Sequence, residues 1–223
     1  MNLVLQKLAA LALGSTLAGG ILAGFAWWRE VDATQVDPNR VLKQRAVEQE
    51  LPAARQARQA ILDSLLSTNT PDWAGDYVNS GGYETCRLTV GPEGFSYEYS
   101  HCTGTGELAY GEVESVEGSR VLLRPTFHER PDKPRERAPS ERSDFWFEPD
   151  LFVVRWNNEQ FLVPASKMTE FCRLAKAVKW EAMRYASYPR LRSGERRRSN
   201  FWDSHFEGLP DVPAEFRHLL PAE

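Results

Sequence analysis

The residue types that perform catalysis are present in this sequence, but their spacing specifies no reaction. Asp203, Ser204 and His205 are adjacent, whereas a nucleophile–base–acid triad needs side chains that converge from separate elements. The sequence contains no GxSxG, HExxH or GxxxxGK motif, which are local signatures of serine hydrolases, zinc peptidases and phosphate-binding loops. We therefore interpret residues 203–205 as a polar turn and predict no catalytic residues.

Metal ligation would need histidines, cysteines or carboxylates at short, regular spacings. The four histidines, His101, His128, His205 and His218, are isolated from one another along the chain. Cys102 is next to His101, but adjacent residues of a strand project to opposite faces. We predict a structural role for each histidine, no metal site and no cofactor.

The chain has three cysteines, which are too few for a disulfide scaffold. Cys86 and Cys102 flank one predicted hairpin and could form a disulfide if the domain is exported. A register that pairs Val90 with Phe95 puts Cys86 opposite Tyr99, however, so this disulfide would require a bulge. In a cytoplasmic domain the cysteines are small buried residues, and in neither case does the sequence around them indicate a low-pKa thiolate.

The strongest electrostatic feature is a C-terminal arginine cluster interleaved with aromatic residues. Arginine beside aromatic rings is suited to binding phosphates, anionic headgroups or acidic glycans. The candidate ligand-binding residues are Arg190, Arg192, Arg196, Arg197, Arg198 and Trp202. The alternative is a solvated face that balances acidic residues elsewhere. The net charge of −4 favours this alternative, and it argues against nucleic acid as a partner.

Residues 8–28 form a run of 21 positions without a charge. As a helix this run spans about 31 Å, which matches the hydrocarbon core of a bilayer. Trp27 and Trp28 end the run, and indole rings favour the headgroup boundary. A cleavable signal peptide is the alternative, with residues 24–26 as a small-x-small site. We predict an uncleaved single-pass anchor after a tail of residues 1–7.

The orientation of this anchor follows from two opposing arguments. Lys7 precedes the span, whereas Arg29, Arg40, Lys43 and Arg45 follow it, and the charge rule would keep the C-terminal side in the cytoplasm. Long domains, however, translocate with little regard to flanking charge. We predict a cell-membrane protein whose globular domain is extracytoplasmic.

Small residues recur every four positions in the anchor, at Ala12, Thr16, Gly20 and Gly24. Such a stripe allows two membrane helices to approach closely. Self-association through this stripe is therefore one expectation, and chance spacing in an Ala/Gly/Leu-rich span is the alternative.

Residues 29–70 are predicted to form a helical juxtamembrane stalk. Asp37 offers an N-cap, and Pro38 follows at the first helical position, where its missing N–H costs nothing. Pro52 interrupts the apolar pattern, which then resumes, and we expect the second half to dock on the globular domain. The apolar positions of that half are Ala54, Ala57, Ile61, Leu62, Leu65 and Leu66.

Residues 71–188 have the texture of a β-rich domain, with short alternating runs separated by Gly, Asn and Pro. One run alternates Phe95, Tyr97 and Tyr99 with Ser96, Glu98 and Ser100. This period of two predicts a strand with one buried aromatic face and one solvated face.

Other signals in the domain mark its turns and its end. Residues 126–143 are rich in Pro, Arg and Glu and are predicted to be a charged loop. Asn157 and Asn158 can adopt the positive φ angles of a two-residue hairpin turn. An amphipathic helix is expected after Pro164, and residues 189–223 are expected to form an Arg-rich tail that packs on the domain.

The predicted fold is α+β, with a mainly antiparallel sheet of about eight short strands, curved or closed into a small barrel, and flanking helices. The absence of catalytic motifs favours a non-enzymatic binding or interaction module anchored in the membrane. A membrane-anchored hydrolase-like enzyme and a structural scaffold of an envelope complex are the alternatives. An enzyme should show a pocket with convergent acids or histidines, a binding module an apolar groove, and a scaffold a large exposed apolar patch.

Overall fold

The computed structural model describes residues 38–67, 69–81, 84–102, 104–130, 147–177, 186–191 and 208–220. The contacts within the chain divide it into two units, residues 1–41 and 42–223. The predicted anchor and its small-residue stripe lie outside the described residues. In the part of the chain that is described, no helix is long and apolar enough to cross a membrane.

Eight antiparallel strands follow one long helix, α1, at Pro38–Ser64, and each strand pairs with the next along the chain. The strands are β1 (Gly75–Gly81), β2 (Glu84–Gly91), β3 (Gly94–His101), β4 (Gly104–Glu117), β5 (Arg120–Glu129), β6 (Asp150–Trp156), β7 (Glu159–Pro164) and β8 (Tyr188–Pro189). Between β7 and β8 lie a 3-10 turn at Ala165–Lys167 and helix α2 at Met168–Ala177, and a second 3-10 helix spans Ala214–Leu219. The predicted antiparallel sheet with flanking helices is confirmed.

The sheet curves round into a nearly closed barrel, because the chain after β8 returns to β1. Tyr77 and Arg190 form an antiparallel bridge. The Leu191 N–H donates to the Asp76 carbonyl at 2.7 Å, and the Arg190 N–H donates to the Gln160 carbonyl at 2.8 Å. The residues just after β8 therefore link β7 to β1 and join the two ends of the meander.

Inward-facing side chains of these strands fill the barrel. The buried members of this interior cluster are Tyr77, Cys86, Leu88, Val90, Phe95, Tyr97, Ala109, Val121, Leu123, Phe147, Leu151, Leu162 and Tyr188. A second apolar cluster lies between the outer face of β6 and β7 and helix α2, whose Met168, Phe171, Cys172 and Ala175 are all buried. The amphipathic helix predicted after Pro164 is therefore confirmed.

The period of two in β3 is confirmed, but one part of the prediction is wrong. Phe95 and Tyr97 are fully buried inside the barrel, and Tyr99 is half-buried. Of the three residues expected to face solvent, Ser96 is buried and Glu98 and Ser100 are half-buried. The Ser96 hydroxyl donates to the Ala54 carbonyl of α1 at 2.9 Å, because α1 covers this outer face of the sheet.

Helix α1 continues without a break through Pro52 and docks along most of its length. Val47 and Ala54, seven residues apart, are both buried and form one outer cluster with Leu108 of β4. Residues seven apart lie on one helix face, so packing on both sides of Pro52 holds the helix across it. The second half docks as predicted, and the structure extends the docked part of the helix to Val47, before Pro52.

Strand β5 continues beyond the point where the sequence predicts a loop. The loop was expected from residue 126, whereas β5 reaches Glu129. Pro125 is accommodated at a register shift, opposite Gly111 of β4, since a bulge leaves a position that needs no ladder N–H. Residues 131–143 of the predicted loop lie outside the described residues.

The turn between β6 and β7 and the C-terminal segment can both be described. Asn157 and Asn158 have φ angles of 50° and 62° in the turn between β6 and β7, which confirms the predicted hairpin. In the C-terminal segment, Val212 is buried in the outer cluster beside α2, and Asp211 forms a bridge with Arg155 of β6.

Candidate functional site

The largest of the three surface cavities described lies beside the end of α1 and has a volume of about 480 Å³. Its walls come from the end of α1 and the turn that follows it, the start of β1, the turn between β6 and β7 with the start of β7, and the residues after β8. The apolar residues that line it are Leu62, Leu65, Leu66 and Leu191. We call this cavity the leucine groove.

The apolar wall of the leucine groove follows from the periodicity of α1. Ile61 faces the sheet and is buried against Gly91, where an added Cβ would lie 2.8 Å from the isoleucine side chain. Leu62 and Leu65, one and four positions later, line the groove instead. Leu66 is 84% exposed, so this wall offers apolar surface that the described fold leaves uncovered.

Two polar groups at the base of the leucine groove are bound within the fold. The Asp76 carboxylate accepts hydrogen bonds from the Arg58 guanidinium at 2.9 Å and from the Thr89 hydroxyl at 2.6 Å. The Gln160 amide donates to the Tyr77 hydroxyl at 2.7 Å and to the Asp72 carbonyl at 2.6 Å. Because these two polar groups are already bonded, a ligand at this base would contact apolar surface more than free hydrogen-bonding groups.

Arg190, one of the predicted ligand-binding residues, also lines the leucine groove. Its guanidinium donates to the Ala74 carbonyl at 2.6 Å, the Asp72 carbonyl at 3.1 Å and the Gln160 side-chain oxygen at 3.2 Å. An added Cβ at Gly75 would lie 2.6 Å from Arg190 Nε, so a larger residue there would force the Arg190 side chain to shift. Arg190 thus fastens β7 and the residues after β8 to the start of β1.

Arg190 is the one member of the predicted anion site that falls among the described residues. Arg192, Arg196, Arg197, Arg198 and Trp202 lie outside the described residues. An anionic partner for this segment stays a prediction.

A second group of polar residues lies inside the barrel, at the end where β4 begins. Glu107 is buried, with 1% of its side chain exposed, and its Oε1 lies 2.7 Å from His128 Nε2 on β5. Its other oxygen accepts the Phe147 backbone N–H at 3.2 Å. The sequence predicts a structural role for His128 and does not predict the burial of Glu107. The available signal was the phase of β4, since Glu107 is two residues before inward-facing Ala109.

Cys86, Tyr97 and Tyr188 form a neutral hydrogen-bonded row next to this carboxylate. The Tyr97 hydroxyl is hydrogen-bonded to the Cys86 thiol and to the Tyr188 hydroxyl. Burial raises the pKa of all three groups well above their ordinary values, so they stay protonated at physiological pH. A protonated, buried thiol is a poor nucleophile, which argues against Cys86 as a catalytic residue.

The structure places the two cysteines of the predicted disulfide in different surroundings. Cys86 is buried opposite Tyr99, in the register expected from the Val90–Phe95 pair. Cys102 is exposed, and both are free thiols. The register shift in this region lies between β3 and β4, not between β2 and β3, where the disulfide would need it. The disulfide stays a prediction.

Alkylation of the native protein should separate these thiols. At pH 8 without reductant, we expect iodoacetamide to modify Cys102 rapidly and Cys86 and Cys172 only on unfolding. Burial shields the latter two and raises the pKa of Cys172 to about 11, so little thiolate forms below that pH. Mass spectrometry of the peptides identifies which of the three cysteines have been alkylated. The absence of any rapidly modified thiol before reduction would instead indicate the Cys86–Cys102 disulfide.

The histidines do not converge on the described cavities. The other two cavities have volumes of about 310 and 250 Å³ and adjoin the barrel end near Trp73 and Arg155. None of the three is lined by a histidine among the described residues. The same residues contain no group of three His, Cys, Asp or Glu side chains arranged to hold a metal ion.

The chain matches no protein-family model, no curated protein and no solved structure.

Proposed function

We propose that this protein is a non-enzymatic binding module, held at the cell membrane by residues 8–28, with its barrel on the extracytoplasmic side. The leucine groove is its binding surface, and the ligand is an apolar helix of a partner protein. Leu62, Leu65 and Leu66 carry the proposal, because they place apolar side chains along one wall of a concave surface. Helix-in-groove recognition uses such a wall to receive the apolar face of an amphipathic helix.

The groove supports binding over catalysis. The carboxylate of Asp76 and the amide of Gln160 are held by hydrogen bonds within the fold. A catalytic pocket would instead bring acids or histidines together around a reacting atom. The apolar lining is the property expected of a binding site.

The distribution of exposed apolar residues supports a groove-based module over a scaffold. The large apolar side chains exposed in the described residues are Leu42, Leu66 and Val116. Leu42 and Leu66 are 24 positions apart on or just after α1, and Val116 is on β4. Isolated exposed residues of this kind are ordinary, whereas Leu66 differs in lying on the rim of a cavity.

The anchor can be tested by membrane fractionation. The full-length protein should remain in the membrane pellet after alkaline carbonate extraction, because residues 8–28 are long enough to span a bilayer. A variant lacking residues 1–28 should be released and serves as the control. Recovery of a soluble product that begins near residue 27 would show a cleaved signal peptide instead.

The groove can be tested by photo-cross-linking in the native membrane. Benzoylphenylalanine at position 66 should give a discrete adduct with a partner polypeptide, because Leu66 lies on the groove rim. The same residue at position 42 is the matched control, since Leu42 is also exposed on α1 but does not line the groove. Equal adduct patterns at both positions, or none at position 66, would contradict the proposal.

A further inference from the structure

Part of the barrel wall beside β5 is formed by residues 147–149, which belong to no strand. Strand β6 pairs with residues 120–122 of β5 only, and the Leu123 N–H then donates to the Pro149 carbonyl at 2.8 Å. From Leu123 to Glu129, β5 has β4 as its one strand neighbour within the described residues. Phe147, two residues before Pro149, fills the interior there and is 8% exposed.

Phe147 presents two groups to the interior, a flat ring and one N–H donor. The ring stacks on Phe95 with centroids 5.2 Å apart and an interplanar angle of 7°. It also lies 5.5 Å from the Tyr97 ring and meets the His128 ring edge-on at 5.2 Å. The N–H donates to Glu107. The Phe147 ring therefore stacks on an aromatic face of the barrel interior, and the Phe147 N–H bonds to a carboxylate there.

A carboxylate is not needed merely to fill this position. A buried charge is costly even when hydrogen-bonded, and apolar residues of similar shape are often at least as stabilising. Glu107 has 1% of its side chain exposed, whereas its partner His128 has 39% exposed, so this end of the interior is in contact with solvent through the imidazole. Aromatic walls with one placed polar group are typical of small-ligand sites. Eight strands enclose an interior that either fills with side chains or holds one small ligand.

We propose that this end of the barrel is a second binding site, separate from the leucine groove, for one small planar aromatic molecule that carries an N–H or O–H donor. Indole and phenol represent the class. The ligand ring takes the place of the Phe147 ring on Phe95, and its donor bonds to the Glu107 carboxylate, which has acceptor sites beyond those used by His128 and the Phe147 N–H. Phe147 is the internal competitor that occupies the site in the unliganded protein.

Calorimetric titration of the full-length protein in nanodiscs with indole and with toluene tests this site. Toluene has a similar ring but no donor. The wild type should bind indole, and Phe147→Ala should bind it about tenfold or more tightly, because the ligand no longer displaces a ring that occupies the site most of the time. Adding Glu107→Leu to Phe147→Ala should weaken indole binding about tenfold or more, since a charge-assisted hydrogen bond is lost. It should leave toluene binding nearly unchanged.

Retained toluene binding in the double variant shows that the site is still folded, so the indole result reports the carboxylate alone. Two results would overturn the proposal. The first is a wild-type protein that binds no indole at millimolar concentration, which would make the site a product of the Phe147→Ala substitution. The second is an equal loss of indole and toluene binding on Glu107→Leu. Photo-cross-linking at position 66 is independent of both, so either proposal can fail without the other.

Discussion

Replacing Tyr97 by alanine should lower the free energy of unfolding by about 3–5 kcal/mol, the range for truncating a buried aromatic residue. Tyr97 is completely buried. Its ring contacts Phe147 and Tyr188, and its hydroxyl is hydrogen-bonded to Cys86. The substitution therefore opens a cavity and also leaves buried polar partners unpaired. Domains are stable by only about 5–15 kcal/mol, so this loss is a large part of the total.

Denaturant unfolding followed by circular dichroism measures this loss, and the neighbouring residue provides the control. Glu98 lies on the outer face of the same strand and forms an ion pair with Arg55 at 3.3 Å. The Arg55 side chain is 62% exposed and the Glu98 side chain 22% exposed. An ion pair that keeps one partner in solvent contributes about 0–1 kcal/mol, so Glu98→Ala should cost far less than Tyr97→Ala. Equal losses at positions 97 and 98 would contradict the assignment of alternate faces.

Tyr97→Phe separates the two parts of the effect. It keeps the ring and removes the hydroxyl, so the cost should fall to the 1–3 kcal/mol of a buried hydrogen-bonding group left unpaired. A loss as large as that of Tyr97→Ala would mean that the hydrogen-bonded row, rather than ring packing, dominates the contribution of this residue.

Local patterns in the sequence were enough to predict the elements that depend on neighbours along the chain. The alternation from Phe95 to Ser100 and the turn at Asn157 and Asn158 depend on strand period and backbone preference. These were confirmed. The burial of Ser96 could not be read in the same way, because it depends on α1, a helix more than 30 positions earlier in the chain. No local pattern states which face of a sheet a distant helix will cover.

The candidate sites were predictable to a smaller extent for the same reason. Leu62, Leu65 and Leu66 were recognised as an apolar helix face, but the groove arises only when β1 and the residues after β8 come alongside them. The contact between Glu107 and His128 joins residues 21 positions apart and depends on the register of β4 with β5. Arg190 was selected for its charge, whereas its hydrogen bonds to Asp72 and Ala74 span more than 110 positions.

Gly111→Ala should be at least as damaging as Tyr97→Ala, and for a different reason. A Cβ at Gly111 would lie 2.2 Å from the Arg124 carbonyl oxygen and 2.9 Å from Pro125 Cα. Both atoms belong to the backbone of β5, so no side-chain rotation can relieve the overlap. The β4 and β5 strands must separate at their register shift, and we expect a loss above about 4 kcal/mol, the range that marks a specific structural defect.

Gly118→Ala, at the turn that ends β4, is the control for replacing a glycine as such. Gly118 has a φ of +60°, and an added Cβ would meet no atom within 4 Å. The cost there is limited to the left-handed backbone conformation, about 1–2 kcal/mol. Parallel denaturant unfolding of the two variants should therefore give a loss several times larger at position 111. Similar losses would mean that β4 and β5 do not approach as closely at Gly111 as the Pro125 bulge requires. Strand β5 would then end before residue 126, the residue from which the composition of the chain predicts a loop.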